Sequence, residues 1–233
     1  MSLYVGTSGF SYKEWKGGFY PEDLPDKEML RYYGTQLNAV EINNTFYRLP
    51  KEGLLTTWAA QVPEQFRFVI KASQKITHFK RLKDTGEETG YLLRIVKVLE
   101  QRLGVIFFQL PPNLRKDLPR LQEFLKLLPA DAHCAFEFRN ASWFDDEVYA
   151  SLRSHNCALC IADADEELVV PFVTTADWGY LRLRKENYSA ADLEGWMKRI
   201  QSQEWKDAFV FFKHEDAAAG PKMAKGFLKL IDE

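Results

Sequence analysis

The chain has 233 residues, enough for one large α/β unit or two small ones, and 46% of them are hydrophobic, which excludes wholesale disorder. Its 31 basic side chains oppose 33 acidic ones, so no polyelectrolyte role follows from net charge, although a local basic patch is compatible with that balance. Three cysteines are too few for a disulfide framework, the start MSLYVGTSGF lacks a signal-peptide pattern, and no run approaches the roughly 18 apolar residues of a membrane helix, so a cytoplasmic protein with no membrane partner is expected.

Eight short apolar runs, rich in β-branched and aromatic residues, recur along the chain at 3–6, 39–43, 66–72, 104–109, 133–138, 157–162, 179–184 and 208–213. Each is too short for a buried helix and is bounded by turn or polar residues, so each predicts a strand. Helical patterns lie between most of them. The segment 54–62 keeps an apolar stripe, and 88–103 places Leu92, Ile95, Val96 and Leu99 at helical spacing. Segment 117–128 opens on Asp117 with Pro119 in its first turn, and 189–200 opens on Ser189 with Asp192 three residues on, close to a capping box. The stretch 163–178 contains Pro171 and reads as extended, so the helix after strand six is expected to be short or missing. Alternating strands and helices give parallel βαβ units, and eight units in 233 residues fit a closed (β/α)₈ TIM-type barrel over 1–233 better than an open sheet.

A barrel strand alternates inward and outward side chains. That parity turns Val40, Ile42, Phe68, Ile70, Phe136, Phe138, Leu181 and Leu183 toward the helices. It turns Glu41, Asn43, Lys71, Gln109, Glu137, Arg139, Arg182, Arg184 and Lys213 inward at the C-terminal ends of their strands, with Asp163 after the sixth. This is the face where barrel enzymes keep their sites. Three carboxylates and five basic groups leave the rim net positive, which predicts an anionic ligand. The structural alternative is an internal ion-pair network, Glu41 with Lys71 and Glu137 with Arg139 or Arg182. Aromatics in the loops after strands one, two and five, among them Tyr12, Trp15, Phe46 and Trp143, suit stacking on a sugar or base, or packing as a lid.

Weaker signals point elsewhere. Cys157 and Cys160 spell C-x-x-C within a predicted strand, where positions three apart face opposite ways and cannot chelate a metal. His78, Glu41, Glu137 and Asp163 have donor types for a hard divalent ion, but five basic neighbours oppose it, and no metal or other cofactor is expected. GTSG (6–9) suits a tight turn better than a phosphate cradle.

Seven segments together resemble the YecE-like family, known as domain of unknown function 72: GTSGFSYKEWKGGFYP (6–21), VEINNTFYRLP (40–50), FVIKASQKITH (68–78), FFQLPP (107–112), FEFRNASWF (136–144), IAD (161–163) and YLRLR (180–184). The resemblance runs from Val5 to about Leu228. It implies a barrel with a site formed by Glu41, Asn43, Asn44, Lys71, His78, Gln109, Glu137, Arg139 and Asp163, and implies no particular reaction. Two departures fall on the rim: Arg184-Lys185 where many members have His-Gly, and Phe212-Lys213-His214-Glu215-Asp216 where many have a Phe-Asn-Asn run.

The sequence thus predicts an enzyme acting on an anionic, ring-containing small molecule such as a phosphorylated sugar or a nucleotide. Glu137, Glu41 and Asp163 are the candidate acid–base carboxylates, on the ground that carboxylates in unlike surroundings divide those roles. The expected binding residues are Asn43, Asn44, Lys71, His78, Gln109, Arg139, Arg182, Arg184, Lys213, Tyr12, Trp15 and Trp143. The alternative is a nucleic-acid-binding or nuclease-like module using the same basic rim. The sequence sets no oligomeric state.

Overall fold

Eight parallel strands close into a barrel, in a computed structural model that describes residues 1–164, 168–213 and 218–231. They are β1 (Ser2–Ser8), β2 (Ala39–Ile42), β3 (Arg67–Lys71), β4 (Leu103–Gln109), β5 (Cys134–Glu137), β6 (Ala158–Asp163), β7 (Trp178–Leu183) and β8 (Asp207–Phe212). Each pairs in parallel with the next, and β1 pairs with β8 to complete the ring. All eight predicted runs became strands, with ends moved by one or two residues. Among the described residues the outer layer holds α1 (Met29–Gln36), α2 (Glu52–Ala59), α3 (Gly86–Val96), α4 (Leu118–Leu125), α5 (Asp146–Arg153), α6 (Ala190–Gln201) and α7 (Ala219–Lys229). No helix lies among the described residues between β6 and β7.

Local chemistry sets several boundaries. The Asp117 side chain accepts from Arg120 N–H at the start of α4, with proline in the first turn. Ser189 and Asp192 form a reciprocal capping box at α6. At the end of β1, a Cβ on Gly6 would lie 1.9 Å from Ala39 O, so only glycine lets β1 approach β2 there, and Gly9 holds a left-handed φ of 100°. GTSG is therefore a close approach followed by a turn.

The strand parity matches the sequence reading. Ala39, Val69, Phe107, Ala135, Cys160, Tyr180 and Phe211 fill the barrel interior, while Val40, Phe68, Ile106, Phe136, Leu181 and Val210 join the larger core beneath the helices. The rings of Phe107 and Tyr180 stack at 5.1 Å and form an apolar floor under the C-terminal mouth. Cys160 faces inward and Cys157 joins the outer core; both are free thiols.

Candidate functional site

Above that floor a buried polar network spans the barrel. Arg182 lies at its centre, donating from Nη2 to Glu41 Oε1 at 2.9 Å and from Nη1 to Glu137 Oε2 at 2.6 Å. Its guanidinium rests 5.0 Å over Phe107. Glu41 also accepts from Ser8 Oγ (2.8 Å), Asn43 Nδ2 (3.0 Å) and the Tyr180 hydroxyl. Glu137 accepts from Gln109 Nε2 at 2.7 Å, and Gln109 Oε1 accepts from Lys71 Nζ at 2.9 Å. Gln109 and Glu137 are register partners on adjacent strands, so the sheet itself brings the amide to the carboxylate. Arg139 Nε and Arg184 Nη1 lie 3.7 and 4.0 Å from Glu137 Oε1 at the outer edge of the network.

Arg182 decides the protonation of both carboxylates. Burial alone would raise their pKa values, but the guanidinium and the surrounding donors outweigh it, so both are held below the usual carboxylate range, Glu137 at about 2. Lys71 behaves oppositely. Burial, reinforced by Arg182 and Arg139, prevails over the two carboxylates and pulls its ammonium down to about 8. Its Nζ also lies 4.6 Å from the centre of the Phe46 ring, and His78 meets the same ring edge-on at 4.8 Å. Burial, with Lys71, Arg139 and Arg81 nearby, lowers the pKa of His78 as well.

The segment that carries His78 is irregular. A π-helical turn, Lys75–Phe79, follows β3, and Arg81, Leu82 and Asp84 then adopt positive φ angles of 52°, 67° and 51°. Such turns and left-handed non-glycine residues gather at functional sites. Here the distortion is held by Glu88, which binds both Lys75 and Lys80, and by Lys80 Nζ donating to Asp84 O.

The structure brings Glu41, Asn43, Lys71, Gln109, Glu137, Arg139, Arg182 and Arg184 to the mouth, with His78 beside Lys71 through Phe46. Asn44 is exposed on the rim, and Lys213 is exposed where β8 ends. Other expectations need correction. Asp163 shares its parity with Leu159 and Ile161, because β6 runs regularly through to it; it faces α6 and pairs with Lys185 (3.2 Å) and the Tyr188 hydroxyl (3.0 Å), away from the two glutamates. Trp15 and Trp143 are fully buried in the outer core, with Trp143 Nε1 donating to Leu114 O and its ring stacked on Phe138, so neither offers a face for stacking. Tyr12 is half-buried and donates to Ser8 O. Arg182 spends its charge on the glutamates, and Lys71 pairs with Gln109 where an ion pair with Glu41 was the alternative. Glu41 and Glu137 share one guanidinium and one direction of shift, which removes the acid–base division expected of unlike surroundings. His214, Glu215 and Asp216, named in the rim departure, lie outside the described residues.

Two participants were missed, Ser8 and Tyr180, which hold Glu41, whereas Phe46, one of the loop aromatics read from the sequence, covers Lys71. Extending the parity of Arg182 back two places would have found Tyr180, and the inward parity of β1 would have found Ser8. Among the described residues, no three His, Cys, Asp or Glu side chains gather as a metal site.

The model of the family "Protein of unknown function DUF72" matches residues 4–233. The chain belongs to the DUF72 family. UPF0759 protein YunF of Bacillus subtilis is 25% identical, across 99% of this chain and 95% of its own length. UPF0759 protein YecE of Escherichia coli is 29% identical over 61% of this chain and 50% of its own. The crystal structure of a DUF72 family protein, TM1631 of Thermotoga maritima, superposes with a TM-score of 0.87 at 29% identity, covering both chains completely. These DUF72 relatives agree with the barrel and leave its chemistry to be argued from the mouth.

Proposed function

We propose that this DUF72 barrel is an enzyme that binds an anionic, ring-containing small molecule at its C-terminal mouth, with Lys71 as the group that moves a proton. The observation that carries this reading is four basic side chains, Lys71, Arg139, Arg182 and Arg184, converging on two ionised carboxylates in one recess. The recess is net positive in a chain of net charge −2, and its apolar floor strengthens the field on any anion that enters. Arg139 and Arg184, the more exposed pair, would hold the anion, since guanidinium planes match oxyanion geometry. A carboxylate fixed at about 2 is a poor proton carrier at neutral pH, whereas an amine near 8 exchanges its proton readily. Glu41 and Glu137 would then serve as fixed charges that orient Arg182, Gln109 and, through Gln109, Lys71.

Calorimetric titration with inorganic phosphate, sugar phosphates and nucleoside monophosphates tests the proposal. Binding weakened at least tenfold by Arg139→Ala or Arg184→Ala is the expected result. Equal affinity in the double variant, or no binding by any member of the panel, would remove the anion site. The nucleic-acid reading loses two of its three stacking aromatics, Trp15 and Trp143, to the core.

A further inference from the structure

Lys71 enters the mouth from the end of β3 with its amine between two phenyl rings, 4.6 Å from the centre of Phe46 and 6.0 Å from that of Phe107. The side chain is desolvated but not sealed: the residue keeps 9% of its surface exposed, against 0% for Glu41 and 2% for Glu137. Burial first, and then the neighbouring charges of Arg182 and Arg139, disfavour a third cation here, which brings the amine to about 8. At pH 7 such an amine is unprotonated roughly 300 times more often than a lysine at the ordinary 10.5. A lysine desolvated beside another cation is the form of amine that adds to carbonyl groups. Cys160, the thiol at the foot of the network, is no rival nucleophile. It donates to Glu137 Oε2 at 3.8 Å, and burial together with that carboxylate pushes its thiol up, so it stays protonated.

The hydrogen bonds around Nζ point the same way. An ammonium carries three N–H donors, and among the described residues the chain offers this one a single acceptor, Gln109 Oε1. Gln109 cannot turn over, because its amide nitrogen is committed to Glu137 Oε1. A secondary iminium has one N–H, which that one acceptor satisfies, and it keeps the positive charge that Glu41 and Glu137 favour. Arg139 and Arg184 approach the same Glu137 oxygen from the outer edge. The two hydrogen bonds of Gln109 therefore link the amine to the oxygen that both guanidiniums face, a span short enough for one sugar phosphate to bridge.

We infer that the Lys71 amine forms an imine with the open-chain aldehyde of a phosphorylated aldose whose phosphate meets Arg139 and Arg184. The inference rests on the anion reading of the mouth for the phosphate, and on the surroundings of Lys71 alone for the covalent bond. The nitrogen lone pair adds to the carbonyl carbon, the carbonyl π pair moves to oxygen, and that oxygen takes a proton from the nitrogen. The resulting hydroxyl accepts a proton from solvent and leaves as water while the nitrogen lone pair completes the C=N bond. The iminium carries the same charge as the ammonium it replaces, so the network stays balanced.

Sodium cyanoborohydride, which reduces an iminium to a stable secondary amine, tests this on the full chain. The probes are ribose 5-phosphate and ribose at pH 7, with each modified lysine located by peptide mass mapping. Exposed Lys51 in the same tube is the reference, which cancels the different open-chain fractions of the two sugars. With ribose 5-phosphate, Lys71 should be modified at least tenfold faster than Lys51. That lead should shrink at least tenfold with ribose, and equally in Arg139→Ala. Modification of Lys71 should level off above pH 8, whereas exposed lysines keep gaining toward their ordinary 10.5. A lead below tenfold with both sugars overturns the imine, whatever calorimetry shows of sugar-phosphate binding. A lead above tenfold that is the same for both sugars keeps the imine and removes the phosphate contact, and with it the anion reading.

Discussion

Glu137 and Lys71 sit in one network, yet their titrations push stability in opposite directions. Glu137 binds its proton less readily in the folded chain than its ordinary value of 4.5, at about 2. Its stabilising contribution is therefore full above pH 4.5 and drains away as pH falls toward 2. Glu137→Gln should cost about 3 kcal/mol at neutral pH, the lower end for breaking a buried ion pair, because Arg182 keeps Glu41. The difference in Tm between parent and variant should shrink through that acid window; a constant difference down to pH 2 would mean that the carboxylate is not held low. Lys71 is destabilising while it is charged, and the penalty is relieved as pH rises from about 8 toward its ordinary 10.5. Lys71→Met should thus raise stability at pH 7, by on the order of 2 kcal/mol less the lost Gln109 hydrogen bond, with the gain fading toward pH 10.5. A destabilised Lys71→Met protein at pH 7 would assign the lysine to structure. Charge type at these positions was legible in the sequence; which charge answers which was not, because Glu41 and Arg182 lie 141 residues apart and only the closed barrel joins them.

At the scale of the element, strand five shows how far periodicity carries and where it stops. Alternation placed Phe136 and Phe138 outward and Glu137 inward, and all three are buried as that parity requires. The loop beyond has no period, so nothing in ASWF told an exposed ring from a folded-under one. Trp143 packs parallel to Phe138 at 4.8 Å and is anchored to Leu114 O. Trp143→Ala should consequently cost about 3–5 kcal/mol, as large buried aromatics do, and so should Phe138→Ala. Arg139→Ala, at a partly exposed position just beyond the same strand, should cost less than about 1 kcal/mol while weakening anion binding at least tenfold. Denaturant unfolding of the three variants checks the order, and Arg139→Ala as the most destabilised would place that side chain in the core network. The turn after β3 was equally illegible: left-handed Arg81, Leu82 and Asp84 have no glycine signature, and their conformation is imposed by the Glu88 clamp on Lys75 and Lys80.

Across the whole molecule, 31 basic and 33 acidic groups nearly cancel, while the mouth concentrates positive charge in a recess. Eight strand signals in order were enough to specify that recess, since a closed parallel barrel places every strand's C-terminal end at one mouth. This distribution separates a small anion from a polyanion by salt dependence. A single strand held through Z phosphates loses affinity with a slope of about −0.7Z in log–log form, so a basic groove contacting six phosphates would weaken on the order of ten-thousandfold over a tenfold rise in salt. Among the described residues of the network, Arg139, Arg184 and Lys71 are the groups proposed to meet an incoming anion, which corresponds to one phosphate group and not to a track. The affinity for a sugar phosphate should therefore fall by no more than about tenfold between 50 and 500 mM NaCl, partial burial of the charges limiting the screening. A 12-nucleotide single strand should show no binding at 50 mM. Tight, steeply salt-dependent binding of that oligonucleotide would mean that the surface around the mouth carries a phosphate track, and would replace the small-molecule enzyme with the nucleic-acid module.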